Sequence, residues 1–266
     1  MDIQKAKRIV IKVGTSTLTH ETGRLNLRRI EHLTRVLSGL KNMDKEIILV
    51  SSGAVGVGMA KLDMASRPTE TREKQAAAAV GQCELMGIYG RLFAEYGYKV
   101  AQILMTKDVL DHAEREKNVA GTIDTLLSYG AIPIFNENDP VSSYELEFGD
   151  NDTLSAATAV VSRADVLIIL SDIDGLYDSD PRTSDEARLI RTVREITPEI
   201  VEMAGGSGSG LGTGGMATKI SAARIATEKG IDVIIASGDH PDILYDILEG
   251  KPVGTRFSGQ EVKACS

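Results

Sequence analysis

The chain is poor in cysteine, in aromatic residues and in positive charge. Only two of its 266 residues are cysteine, Cys83 and Cys265, with no CxxC pair and no matching histidine spacing. That pattern argues against a disulfide framework and a structural zinc site. Tryptophan is absent and phenylalanine occurs four times, so the stacking platforms used by single-strand binders are scarce. Thirty Lys and Arg against 38 Asp and Glu leave a net charge of −8. This speaks against a general nucleic-acid surface but leaves room for a local basic cleft. No apolar run approaches the ~20 residues of a membrane span. Met1-Asp2-Ile3-Gln4-Lys5 lacks the apolar stretch of a signal peptide. Neither nucleic acid nor membrane is expected as a partner, and a cytoplasmic location is. The histidines, His20, His32, His112 and His240, are scattered, with His32 on the exposed phase of its helix. There is no GxSxG, so a hydrolytic triad has no support.

What is present is an ordinary globular composition, 42% apolar and 26% charged. The length accommodates one large domain or two small ones. Short β-branched runs recur at 8–13, 46–50, 99–104, 131–135, 165–170 and 232–236, with a last one near 253–257. Between them, Leu27, Ile30, Leu33, Leu37 and Leu40 mark one face of an amphipathic helix, and an alanine-rich helix is expected over about 70–96. Near-continuous apolar strands separated by helices predict an α/β fold with a mostly parallel sheet covered on both faces. Such sheets bind ligands beyond the carboxyl ends of their strands. Four strand ends carry small or polar groups: Gly14-Thr15-Ser16, Ser51-Ser52-Gly53, Asn136-Glu137-Asn138-Asp139 and Ser171-Asp172. Each alone reads as a turn; all four together read as a site.

The stretch 205–215 holds seven glycines, Gly205, Gly206, Gly208, Gly210, Gly212, Gly214 and Gly215, with only Ser, Leu and Thr between them. It reads either as a flexible linker or, because it runs into the helical pattern from Met216, as a phosphate-binding loop at a helix N-terminus, the preferred reading. Its formal GxGxxG is weak, since a helix rather than a strand precedes it. GxxxxGK[ST] fails because Thr218 precedes Lys219. Lys12 lies inside an apolar strand, where an edge or snorkelling position is the ordinary explanation. Lys219 lies in a first helical turn, against the local dipole. One phosphate chain between the two would resolve both oddities. The run Gly149-Asp150-Asn151-Asp152-Thr153 reads equally as a helix cap and as a functional tract. Asn136-Glu137-Asn138-Asp139 offers amides and carboxylates suited to the two ends of an amino acid.

Ile9–Ser16, Ser51–Val55, Ile134–Asp139, Phe148–Ser155, Ser171–Tyr177 and Gly212–Lys219, taken in order, resemble the amino acid kinase family, and within it the branch that phosphorylates glutamate. The resemblance spans essentially the whole chain. It implies a three-layer α/β/α sandwich and ATP- and Mg²⁺-dependent phosphorylation of the γ-carboxylate of L-glutamate, the first step towards proline. It further implies that Lys12 and Lys219 contact the phosphates and the transferred group, with Asp152 orienting them. Ser52, Gly53, Asn136, Asp139 and Asn151 match glutamate-binding positions. Lys12, Gly14, Thr15, Ser171, Asp172 and the run Thr213, Gly214, Gly215, Met216, Ala217, Thr218 and Lys219 match nucleotide-binding ones. No metal ligand is assignable, Mg²⁺ being held mainly by ATP phosphates and water. The expected organisation is one domain over 1–266, with about 1–160 serving mainly glutamate and about 161–257 mainly the nucleotide. The C-terminal PUA domain of longer relatives is not expected. A homo-oligomer, dimer or tetramer, and feedback inhibition by L-proline complete the picture. The chemistry is consistent with the lack of a placed histidine: a carboxylate of pKa about 4.3 is already ionised and needs no general base. The alternatives are another amino acid kinase, such as one acting on acetylglutamate, and a catalytically silent amino-acid sensor on the same fold.

Overall fold

The computed structural model describes residues 2–20, 24–142, 150–181, 183–184, 186–204 and 215–259. In chain order the elements are β1 (Arg8–Val13), α1 (Thr15–Leu18), α2 (Leu27–Asn42), β2 (Glu46–Val50), α3 (Ala54–Lys61), α4 (Thr71–Glu95), β3 (Val100–Met105), α5 (Ala113–Ser128), β4 (Ile132–Glu137), α6 (Asn151–Val161), β5 (Val166–Ser171), β6 (Thr192–Val193), α7 (Pro198–Ala204), α8 (Met216–Thr227), β7 (Asp232–Ser237), α9 (Ile243–Leu248) and β8 (Thr255–Phe257). The strands form one sheet in the order β3-β4-β2-β1-β5-β7-β8-β6. All neighbours run parallel except β7 and β8, so the last apolar run returns against its neighbour. The connections leave β1 towards β2 on one side, while β5 adjoins its other edge. The carboxyl ends of β1 and β5 thus flank the crevice where sheets of this kind bind ligands.

Strand periodicity divides the core in two. Ile9, Ile11 and Val13 of β1, with Ile47 and Leu49 of β2 and Ile168 and Leu170 of β5, pack against α2, α3, α4 and α9. Val10, Ile48, Val50, Leu167 and Ile169 face the opposite way, against α5, α6, α7 and α8. This is the expected three-layer α/β/α sandwich. Lys12 shares the parity of Val10 and therefore points to the side of α6 and α8.

Two local features fix the helices on the first face. A Cβ on Gly58 would stand 1.7 Å from Ala77 O, and one on Gly81 would stand 1.8 Å from Ala54 O. The backbones of α3 and α4 touch there, which only glycine at both positions permits. Gly53 precedes α3 with φ +93°, in the left-handed region, and its α-carbon faces Thr15. The ends of β1 and β2 are thereby drawn together. His32 differs from expectation: it is half-buried, with Nε2 2.6 Å from Asp242 Oδ2. Among the described residues no helix is long and apolar enough to cross a membrane.

Candidate active site

Three buried charges occupy the crevice. Lys12, Asp152 and Lys219 are 7%, 0% and 4% exposed, which puts an ionic cluster inside the protein. Lys12 Nζ lies 2.7 Å from Asp152 Oδ1, and Lys219 Nζ lies 3.3 Å from Asp152 Oδ2. The Thr218 hydroxyl is 2.8 Å from both Asp152 Oδ2 and Gly215 O. Burial alone would raise the Asp152 carboxyl, but the charges of Lys12 and then Lys219 outweigh it and hold the group below its ordinary value. The carboxylate is therefore ionised, and two lysines around one carboxylate leave a surplus of one positive charge.

This arrangement answers two questions the sequence left open. Lys12 is on an interior strand of the sheet, so neither an edge nor a snorkelling position accounts for it. The tract around residue 151 is both a cap and a site. Asp150 caps α6 by accepting from Thr153 N at 2.7 Å, while Asp152, two residues further, turns inward to the lysines. Burial raises the Asp150 carboxyl, and Asp152 adds to that, against the bond from Thr153. The anion that Lys219 needs is supplied in the first instance by Asp152, not by a bound phosphate alone.

Beside the charges lies a cluster of amides and hydroxyls. Asn151, the residue next to Asp152, donates through Nδ2 to Ser51 O (2.6 Å), Ser52 Oγ (3.0 Å) and Asn136 Oδ1 (2.9 Å). Asn136 Oδ1 also accepts from Glu137 N at 3.0 Å, and Asn136 Nδ2 donates to Gln82 Oε1 at 2.8 Å. Ser51 Oγ and the Tyr89 hydroxyl are 3.1 Å apart, and burial pushes the tyrosine up to about 12, so it stays protonated. Helix α4 thus supports the cluster from beneath through Gln82 and Tyr89. It also reaches the following loop, where Gln75 Nε2 donates to Ser142 O at 3.0 Å.

Of the residues expected at the site, Lys12, Asp152, Thr218 and Lys219 meet in one group, and Ser52, Asn136 and Asn151 in an adjoining one. Gly14 stands beside the first, its α-carbon facing Lys12 Nζ and Leu170 O, and Gly53 beside Thr15. Ser171 ends β5 on the same sheet edge and donates to Asp172 Oδ1 at 3.1 Å. Gly215, Met216 and Ala217 open α8, whose N-cap residue Gly215 makes no side-chain cap bond, and a helix N-terminus favours an anion. Asp139 is half-buried at the start of a 3₁₀ turn, Asp139–Val141, beyond the amide cluster. Thr213 and Gly214, and with them the glycine loop over 205–214, lie outside the described residues. Gln82 and Tyr89 were not expected, whereas Ser51 belongs to a strand end already read as part of the site. Gln82 and Tyr89 lie in an alanine-rich helix where sequence gives no hint of which polar face meets a strand end.

The model of the amino acid kinase family matches residues 7–237. A glutamate 5-kinase of Clostridium perfringens is 58% identical over 96% of each chain. Another, from Listeria monocytogenes, is 51% identical over 97% of this chain and 95% of its own. Among solved structures, a carbamate kinase of Giardia lamblia shares the fold with a TM-score of 0.69 at 17% identity, covering 97% of this chain and all of that one.

Proposed function

The chain belongs to the amino acid kinase family, and on that premise we propose that it transfers the γ-phosphoryl group of ATP to the γ-carboxylate of L-glutamate. The products are L-glutamyl 5-phosphate and ADP, and the reaction is the first step of proline biosynthesis, in keeping with the glutamate 5-kinases it is similar to. The observation that carries the reading is the buried pair of lysines about Asp152, with its surplus positive charge, set against a cluster of oriented amides.

The difficulty in this reaction is to bring an anionic nucleophile to an anionic phosphate. A γ-carboxylate oxygen forms the new bond to phosphorus while the bond to the ADP oxygen breaks, and no proton need move. Lys12 and Lys219 neutralise the transferring group, and Asp152 keeps their ammonium groups converged without cancelling their charge. Gly14, Thr15, the N-terminal N–H groups of α8, Ser171 and Asp172 serve the nucleotide. Ser52, Gly53, Asn136 and Asn151 hold glutamate, and Asp139 takes its α-ammonium. In this reading about 1–160 serves mainly glutamate and about 161–257 mainly ATP. Among the described residues no three His, Cys, Asp or Glu side chains gather to hold a metal. Mg²⁺ belongs to this reading as the ion carried by the phosphates and water.

The test is Mg·ATP-dependent acyl phosphate formation, trapped with hydroxylamine, using L-glutamate beside N-acetylglutamate and L-aspartate. Hydroxamate from glutamate alone is expected. Product only from one of the others would overturn the pocket assignment, and none from any would favour a silent sensor. The reading extends to a cytoplasmic homo-oligomer inhibited by L-proline, checked by sedimentation and by adding proline to the same assay.

A further inference from the structure

A buried primary amide has a direction, because one end only donates and the other only accepts. Glu137 N can only donate, so the Asn136 atom 3.0 Å from it is Oδ1, and Asn136 Nδ2 must then face Gln82, where Oε1 accepts it at 2.8 Å. Ser51 O can only accept, so the Asn151 atom 2.6 Å from it is Nδ2, and the Asn151 carbonyl faces the other way. Asn136 Oδ1 joins the two amides at 2.9 Å. The chain of bonds therefore runs from Gln82 on α4, through Asn136 at the end of β4, to Asn151 beside the charged group.

Gln82 and Asn136 are both buried. Their bond is side chain to side chain across 54 residues of sequence, and it neither builds α4 nor extends the sheet. The position of α4 is fixed independently by the contact of Gly58 and Gly81 with the backbones of Ala77 and Ala54. We propose that Gln82 is a positioning residue for glutamate, acting through Asn136 to hold the Asn151 amide with its carbonyl towards the substrate. Without the Gln82 acceptor, Asn136 Nδ2 is buried with no partner. Its amide then gains by turning away, and Asn151 Nδ2, whose two hydrogens are shared among Ser51 O, Ser52 Oγ and Asn136 Oδ1, loses the last of these. This inference rests on the glutamate reading above.

The experiment compares Gln82→Met, which keeps length and volume but removes the acceptor, with Gln82→Glu, which keeps an oxygen at that place. Wild type is first shown to form hydroxamate from glutamate and not from N-acetylglutamate or aspartate; a failure here overturns the glutamate reading and this inference with it. With glutamate established, Gln82→Met is expected to raise the glutamate KM roughly ten-fold, the scale of one lost buried hydrogen bond. Its kcat and its KM for ATP stay within about three-fold, since the lysines are untouched. Gln82→Glu is expected to restore the glutamate KM to within about three-fold of wild type. A packing role predicts the reverse order, Met harmless and Glu harmful, and that order would overturn the inference while leaving the glutamate reading intact. A second check is non-additivity: Gln82→Met is expected to add less than about two-fold in the presence of Asn136→Ala. Multiplying effects would show that Gln82 acts by another route.

Discussion

Replacing Asp152 by asparagine removes one charge and almost no volume, and the consequences can be worked from the geometry. At an effective dielectric of about 20, charges 2.7 and 3.3 Å apart attract by about 6 and 5 kcal/mol. Most of this is offset by the cost of taking three ions out of water, so the two figures bound the loss rather than measure it. Breaking a buried ion pair by removing one member costs about 3–5 kcal/mol in practice, because the partner is left uncompensated. Here two lysines are left, both more than nine-tenths buried. For a chain of this size each kcal/mol lowers Tm by about 2–4 °C, so a fall of roughly 6–20 °C is expected. Adding Mg·ATP should recover more of the Tm in the variant than in wild type, because the local charge rises from one surplus positive to two. Turnover should nonetheless fall by at least 100-fold, since the lysines are no longer held converged. Thermal melts with and without nucleotide, beside the hydroxamate assay, read all three. A variant melting within about 2 °C of wild type and turning over at the wild-type rate would refute the argument. So would a nucleotide-induced shift smaller than that of wild type, which would mean the lysines do not meet the phosphates.

Lys12→Met should lower kcat by about 10²–10⁴-fold with the far-UV circular dichroism of wild type, since Asp152 keeps Lys219 as a partner; a kcat within ten-fold of wild type would remove Lys12 from the transfer step. The acid limb of stability follows from Asp152, whose folded value is depressed. Its contribution is fully present above the unfolded value of about 3.9 and is lost as pH falls through the folded one. Urea titrations should therefore show the gap between wild type and Asp152→Asn narrowing below about pH 4, and a gap that widens there would reverse the sign. Gly81→Ala gains about 1 kcal/mol of helix propensity but places a Cβ 1.8 Å from Ala54 O, so net destabilisation of about 1–3 kcal/mol is expected in the same titrations.

The sheet was legible because its strands are apolar on both faces and end in Gly, Ser, Asn or Asp. The six expected parallel runs all appear, displaced by at most two residues at either end. Less legible were α3 and α5, whose apolar stripes are interrupted, and the two-residue β6, too short for any period to show. The antiparallel return of β8 depends on a loop and on an unpaired sheet edge, neither of which has a local signature. At the site, Lys12 was conspicuous because a charge in a β-branched run is rare, but which face it serves became clear only once Val10, of the same parity, was found packed on the side of α6 and α8. That Asp152 would be its partner was not written in spacing, because the two are 140 positions apart and meet only through the packing of α6 on β1.

The charges and the amides are held by different means, and this bears on how the site works. Asn151 and Asp152 are consecutive in the first turn of α6, yet one belongs to the amide cluster and the other to the lysines. Successive helical residues point about 100° apart, so a single helix start, fixed by the Asp150 cap, sets the two groups at a constant angle. Any displacement of that turn moves the glutamate-holding amide and the lysine-orienting carboxylate together. In-line transfer requires the acceptor and the phosphoryl group to be positioned relative to each other rather than to the rest of the protein. Carrying both on one helical turn meets that requirement with a single rigid element, and it explains why the tract reads at once as a helix cap and as an active site.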